Sequence, residues 1–303
     1  MSVDFFIRKP PVRRRIRRLY LPPDVTPRRD PLVPVLSENP RLIGTAFDYA
    51  LRFYIKRHND KARDKEWIAE KGVRRIEDLI KSGGCLHKQC GTVVGQSGNM
   101  VAMAMTDRDP NKTLREVKTL LKQSRYQYLE YLSTGIASRD LMQACYSLAK
   151  LDRFYRAFQP LVPEDLYEID EKAIDELLAL LRVVDLDLFS AKRRCFLNPV
   201  LRAGHIVYGA DADLLIDDRL IEIKVSRSRK PGLRDWDQLF AYYCLYQIGG
   251  VEGLNRRTRI QRLGIYNARY AQYFEMVLIP EQMDYGKSFA EWLVKRISSK
   301  TLK

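Results

Sequence analysis

Leu42, Ala46, Leu51 and Tyr54 recur along one stripe of the segment 40–57, and its other apolar residues predict a helix buried on more than one side. The same helical rhythm runs through 61–190. "KTLREVKTLLKQSRYQYLEYLSTGI" and "EKAIDELLALLRVV" both carry it, while Pro160, Pro163 and the Gly83-Gly84 pair divide the region into several helices. After about residue 194 the texture changes. "RRCFLNPV" and "HIVYGADADLLID" have strand character, and "RLIEIKVS" follows as a further strand after a tight Asp217-Asp218-Arg219 turn. "DWDQLFAYYCLYQI" (235–248) returns to helix, with Asp235 and Asp237 near its positive N-terminal end. "RLGIYNARYAQYFEMVLI" reads as a hairpin about Asn267, and "KSFAEWLVKRI" as a closing amphipathic helix. The expected class is a mixed α/β chain.

Three charged residues break this pattern. Asp48 is an acid amid Ala46, Phe47, Tyr49 and Ala50, and carboxylates are rarely buried unless paired or bound to metal. Glu222 and Lys224 interrupt an apolar run. Successive strand residues alternate faces, so Leu220, Glu222 and Lys224 share one face while Ile221, Ile223 and Val225 share the other. The preceding strand starts at Asp213 and returns antiparallel through the turn, so Asp213 falls near Lys224 or its neighbours, as the register decides. Asp211, on the same face, is a rival, but the apolar run starts immediately after Asp213. Two carboxylates and a lysine suit metal-assisted phosphodiester hydrolysis. The carboxylates hold a hard divalent cation, and the lysine orients the attacking water or stabilises developing charge. A cross-strand ion pair is the plainer alternative. Gln238 and Tyr242, four apart on one helical face, follow Lys224 by 14 and 18 residues, enough for a short loop back over the strands. The plainer alternative there is a pair that meets solvent.

Charge narrows the partner. The 303 residues hold 53 Lys and Arg against 38 Asp and Glu, a net charge of +15, which suggests nucleic acid or an anionic membrane surface. The chain has no run of 18 apolar residues and no apolar core of signal-peptide type, so neither a membrane span nor secretion is expected. The five cysteines (85, 90, 145, 195 and 244) then read as free thiols of a reducing cytoplasm. Within 1–30, nine basic residues, Arg13, Arg14 and Arg15 among them, face three acidic ones. Prolines at 10, 11, 22, 23 and 27 discourage a long helix. The expectation is an extended basic arm over 1–34 that contacts phosphates, or else a solvated tail or a strap. Arg227, Arg229, Lys230 and Arg234 crowd the loop after Lys224, and Arg256, Arg257, Arg259 and Arg262 precede the next strand. Both sets could grip a phosphate backbone without reading sequence. "CLHKQC" offers Cys85, His87 and Cys90 to zinc with no clear fourth ligand, and His205 lies just before the strand of Asp213. "GQSGN" (95–99) lacks the Gly-Lys-Ser/Thr of a phosphate loop and reads as a turn.

Asp213, eight intervening residues, Glu222-Ile223-Lys224, then Gln238-Leu-Phe-Ala-Tyr242 together resemble the PD-(D/E)XK nuclease superfamily. The likeness is to its RecB-like exonuclease branch, whose last motif is a Gln-hydrophobic-x-x-Tyr helix. Gly44-Thr-Ala-Phe-Asp48 stands where that branch has Gly-x-x-x-His, with Asp48 for the histidine, and Ala212 stands for the motif's proline. The motifs span roughly a third of the chain. The resemblance implies a restriction-endonuclease-like αβββαβ core in a domain over 35–303, with core motifs at 40–57 and 195–280 and a helical insertion over about 61–190. It implies a Mg²⁺- or Mn²⁺-dependent nuclease acting on nucleic acid, DNA before RNA. Asp213 and Glu222 would hold the metal, with Asp48 as an extra ligand. Lys224 would position or activate the attacking water, and Gln238 and Tyr242 would support the site or contact the strand being cut. Some branch members carry an iron–sulfur cluster with one early and three late cysteines. Here only Cys244 follows Glu222, so no cluster is expected. The insertion or the arm could serve a protein partner, and a prokaryotic or viral cytoplasm fits the resemblance. Two other function classes stand beside it. One is a nucleic-acid-binding or scaffold protein that keeps the fold without cutting; the other is a peripheral protein of anionic membranes, which rests on charge alone.

Overall fold

The computed structural model describes residues 7–18, 20, 22–81, 93–94, 100–101, 110–157, 166–201, 210–254 and 259–298. The "CLHKQC" cysteines and histidine, the "GQSGN" turn, His205, Arg256 and Arg257 lie outside the described residues. The fold is mixed α/β and forms two compact units. One comprises Met1–Leu32, Asn59–Asp64 and Asp185–Lys303; the other comprises Val33–His58 and Lys65–Val184.

The first unit is built on a six-stranded sheet in the order β1-β4-β5-β6-β7-β8. Its strands are β1 Ala62–Arg63, β4 Cys195–Leu197, β5 Leu214–Ile216, β6 Arg219–Lys224, β7 Arg262–Asn267 and β8 Gln272–Val277. Neighbours from β4 to β6 are antiparallel, β6 and β7 are parallel, and β7 and β8 form the antiparallel hairpin about Asn267 that the alternation predicts. β1 pairs parallel to β4. This two-residue strand lies within a region that reads as helical, because a strand so short leaves no period in the sequence. Three of its helices are described: α1 Pro10–Ile16, α7 Leu233–Gly249 and α8 Pro280–Ser298. The bounds of α7 follow from its ends. The Asp235 carboxylate accepts from the Gly232 N–H at 2.8 Å, and Gly250, at φ +73°, closes the C-terminus.

α7 is the crossover between β6 and β7. Trp236, Leu239, Phe240 and Tyr243 join Leu215, Leu220, Leu263, Ile265 and Phe274 in one buried cluster. Phe240 and Tyr243 lie fully inside it, and burial of each such side chain contributes about 1.5–3 kcal/mol. β6 is paired along both edges, and both its faces are covered: Leu220 and Ile221 are fully buried, and Glu222 is 5% exposed. On the opposite face Gly264 admits the Tyr273 ring, whose hydroxyl oxygen lies 2.0 Å from where a Cβ would stand.

The basic arm differs from an extended chain. Pro10 and Pro11 occupy the first turn of α1, where proline is tolerated, so they start a short helix instead of forbidding one. Val12 and Ile16 are buried, and Tyr20 stacks on Phe240 with ring centroids 5.4 Å apart. Farther along, the Arg28 N–H donates to Gln272 Oε1 at 2.8 Å and the Leu32 N–H to the Arg269 carbonyl at 2.8 Å. The described part of the arm is a strap on the first unit.

The second unit is helical, with α2 Pro40–His58, α3 Ile68–Lys81, α4 Pro110–Thr134, α5 Arg139–Ala157 and α6 Glu171–Arg182. The small pairing of β2 Val93–Val94 with β3 Met100–Val101 forms a separate two-stranded sheet. Phe53, Trp67 and Tyr128 pack ring against ring at 4.5–5.3 Å, and the Arg125 guanidinium lies 3.8 Å from the Trp67 ring centre. No described helix is long and apolar enough to cross a membrane.

Candidate active site

The β5–β6 register pairs Leu214 with Ile221, which sets Asp213 one step beyond the strand, across from Glu222. Its backbone is fixed there by the Asn198 N–H, which donates to the Asp213 carbonyl at 2.8 Å. Its carboxylate accepts from the Ile223 N–H at 2.7 Å. Asp211 lies farther back, in an isolated bridge with Val200. Glu222 and Lys224 lie along β6 on the α7 side of the sheet, since Leu220 on the same face belongs to the cluster under α7.

Lys224 Nζ donates to Glu222 Oε1 at 2.9 Å and to Gln238 Oε1 at 3.0 Å. Gln238 Nε2 donates to the Tyr242 hydroxyl at 3.1 Å. The Gln238 amide, one helical turn from Tyr242, therefore turns its oxygen to the strand and its nitrogen to the tyrosine. The solvent-facing alternative for this pair does not hold. Burial opposes the charge on Lys224, yet Glu222 beside it, with Asp235 and Asp213 farther off, holds its pKa above the ordinary lysine range. The second oxygen of Glu222 is buried and has no hydrogen-bond partner. Leaving a buried acceptor unsatisfied costs about 1–3 kcal/mol, more for a charged group. Asp213, Glu222, Lys224, Gln238 and Tyr242 thus gather at one edge of the β6–α7 layer.

Asp235 joins the site with no signal of that role in the sequence. It reads as a dipole-matching acid at a helix start, and it does serve that end, but its Oδ1 also lies 3.8 Å from Lys224 Nζ. Asn267, the register partner of Lys224 on β7, reads in the sequence only as the centre of a hairpin. Asp237 points elsewhere. It is 1% exposed and grips the arm: Arg17 Nε and Nη2 donate to its Oδ2 at 3.0 and 2.8 Å, and Tyr20 donates to its Oδ1 at 2.6 Å.

Of the candidate phosphate-binding residues, Arg227, Arg229, Lys230 and Arg234 are exposed on or just after the loop from Lys224 to α7. Arg13 and Arg14 are exposed on α1, whereas the Arg15 guanidinium lies 4.7 Å from the Trp292 ring centre and is half-buried there. Asp48 belongs to the second unit, where Arg52 Nη2 donates to its Oδ2 at 2.8 Å. No group of three or more His, Cys, Asp or Glu side chains placed to hold a metal occurs among the described residues. The chain matches no family model, no curated protein and no solved structure.

Proposed function

We propose that this protein is a divalent-metal-dependent nuclease whose site is Asp213, Glu222, Lys224, Gln238 and Tyr242, on a PD-(D/E)XK-like core. The observation that carries the reading is the buried Glu222 carboxylate. One oxygen is held by Lys224 and the other has no partner, and Asp213 lies across the hairpin. A cation is the partner that such an oxygen lacks. Two carboxylates are hard oxygen donors, so they fit Mg²⁺ or Mn²⁺, which take few protein ligands and keep several waters. Asp213 and Glu222 would hold it, and when bound it would polarise the phosphate and acidify a water. Lys224 keeps an ammonium at the same edge. It orients the attacking water and offsets the charge that develops on phosphorus-bound oxygens. Gln238 fixes the direction of that ammonium and is itself fixed by Tyr242. The exposed cations nearby would hold a phosphodiester backbone of DNA or RNA without reading its bases.

The test is cleavage of linear, circular and single-stranded DNA with Mg²⁺, Mn²⁺ or EDTA, with Asp213→Ala and Lys224→Ala beside wild type and each variant checked for folding. Metal-dependent cutting by wild type that both variants lose is the expected result. No cutting on any substrate, or equal cutting by all three proteins, removes the assignment and leaves a binding or scaffold protein.

A further inference from the structure

The loop from Lys224 to α7 joins the two halves of the site, and its path is fixed from outside. Tyr270 and Asn267, at the turn of the β7–β8 hairpin, reach back to it. The Tyr270 hydroxyl donates to the Arg227 carbonyl at 2.9 Å, and Asn267 Nδ2 donates to the Ser228 carbonyl at 2.8 Å. Inside the loop the Ser228 N–H donates to Ser226 Oγ at 3.0 Å and Ser228 Oγ to the Lys230 carbonyl at 2.8 Å. The two anchors are 3% and 2% exposed, while Arg227 and Ser228, whose carbonyls they hold, are exposed. Water would satisfy those carbonyls unaided. Two buried side chains spent on them add little to the ladder of the sheet, and what they do add is a single loop conformation.

Arg227, Arg229 and Lys230 are the side chains that this conformation displays, in the loop that begins at Lys224. Long basic side chains on a loose loop lose entropy when they close on phosphates, with the loop's own ordering in addition. A loop fixed in advance removes that second cost. We propose that Tyr270 and Asn267 are positioning residues that preorganise Arg227, Arg229 and Lys230 as one phosphate-binding row leading a nucleic-acid strand to Lys224. The inference deepens the nuclease reading and rests on it for the strand's destination.

The probe is a short fluorescein-labelled single-stranded DNA, with binding followed by anisotropy in EDTA across a salt series and hydrogen exchange read at residues 226–230. In Tyr270→Phe, which removes one hydroxyl, loop exchange is expected to quicken and affinity to fall about threefold to tenfold, the scale of one lost hydrogen bond. The slope of log affinity against log salt stays as in wild type, because the cations remain. Joint replacement of Arg227, Arg229 and Lys230 by Gln lowers that slope by about two. With a metal present, Tyr270→Phe raises KM and leaves kcat unchanged. Asn267→Ala, with thermal melting as the folding check, repeats the affinity loss. Unchanged affinity in both anchor variants, an unchanged salt slope in the Gln variant, or no binding by wild type overturns the inference. Salt-dependent binding by wild type with no cutting under any metal leaves the loop inference standing and removes the nuclease. Cutting with an unchanged slope in the Gln variant does the reverse.

Discussion

The two ends of the β5–β6 hairpin carry the same residue types and use them differently. At the closed end Asp217 accepts three backbone N–H groups, from Lys192, Arg193 and Arg194, at 2.8–3.1 Å. Asp218 beside it takes both arms of the Arg262 guanidinium, at 3.0 and 2.5 Å. Each of those carboxylate oxygens holds the turn to its surroundings. At the open end Asp213 anchors one backbone N–H, and Glu222 has one oxygen on Lys224 and the other buried with no partner. Burial and charge are therefore not what separate a site from a structural brace. The acceptor that the fold leaves unused separates these two ends. In the helical unit buried Asp152 accepts from Arg156 Nε at 2.8 Å and from the Tyr49 hydroxyl at 3.3 Å, so both its oxygens are engaged, whereas Asp48 keeps a buried Oδ1 with no hydrogen-bond partner.

The contrast predicts a division between activity and stability. Glu222→Gln or Lys224→Met should lower the rate of metal-dependent cleavage by about 10³-fold, within the range for groups that handle protons or charge in a transition state. Asp217→Ala, measured where it remains folded, should cut at the wild-type rate. Rates from gel-resolved time courses decide this, and equal losses at the two ends would erase the distinction.

Stability should show the opposite order. Asp217→Ala leaves three backbone donors without their carboxylate, with an expected loss of about 2 kcal/mol in urea unfolding. Asp217→Asn should lose less, because Asn tolerates the left-handed conformation that Asp217 adopts at φ +53° and keeps one acceptor.

Acid sharpens the comparison further. Burial opposes the charge on Asp217, but the three N–H groups outweigh it and hold the carboxyl below its ordinary range. A lowered folded pKa means that this stabilisation is fully present above the unfolded value of about 3.9 and is lost as pH falls through the folded value. The gap in unfolding free energy between wild type and Asp217→Ala should therefore be constant from neutral pH to about 5 and shrink below about 4. A gap that stays constant down to pH 2 would count against the N–H cradle. The smallest effect belongs to Tyr242→Phe. It removes the acceptor of one Gln238 hydrogen bond, worth about 1 kcal/mol, and should slow cleavage about fivefold.

Much of the open end could be read from the chain. A charged pair inside an apolar strand, an acid at the start of the strand before it and a Gln and Tyr four apart are local patterns, and a sheet and a helix turn local patterns into geometry. Asp235 could not be read in the same way. A helix-start acid has a sufficient local reason to exist, which hides its second contact with Lys224. Tyr270 and Asn267 were hidden because their partners are backbone carbonyls about 40 residues away, and a carbonyl leaves no mark in a sequence. The arm misled through its prolines, which bar a helix interior but suit its first turn. β1 was too short to show a period.

The parallel pairing of β6 with β7 also sets an order of assembly. The β5–β6 hairpin closes over a two-residue turn, so Asp213, Glu222 and Lys224 can meet as soon as a local ribbon forms. β7 starts 38 residues after β6 ends, and the chain between them must first wind α7 across the sheet. Loop-closure entropy makes such distant pairing slow relative to a hairpin. During refolding the acidic half of the site should therefore form early, and Gln238 should reach Lys224 only as the last strands dock.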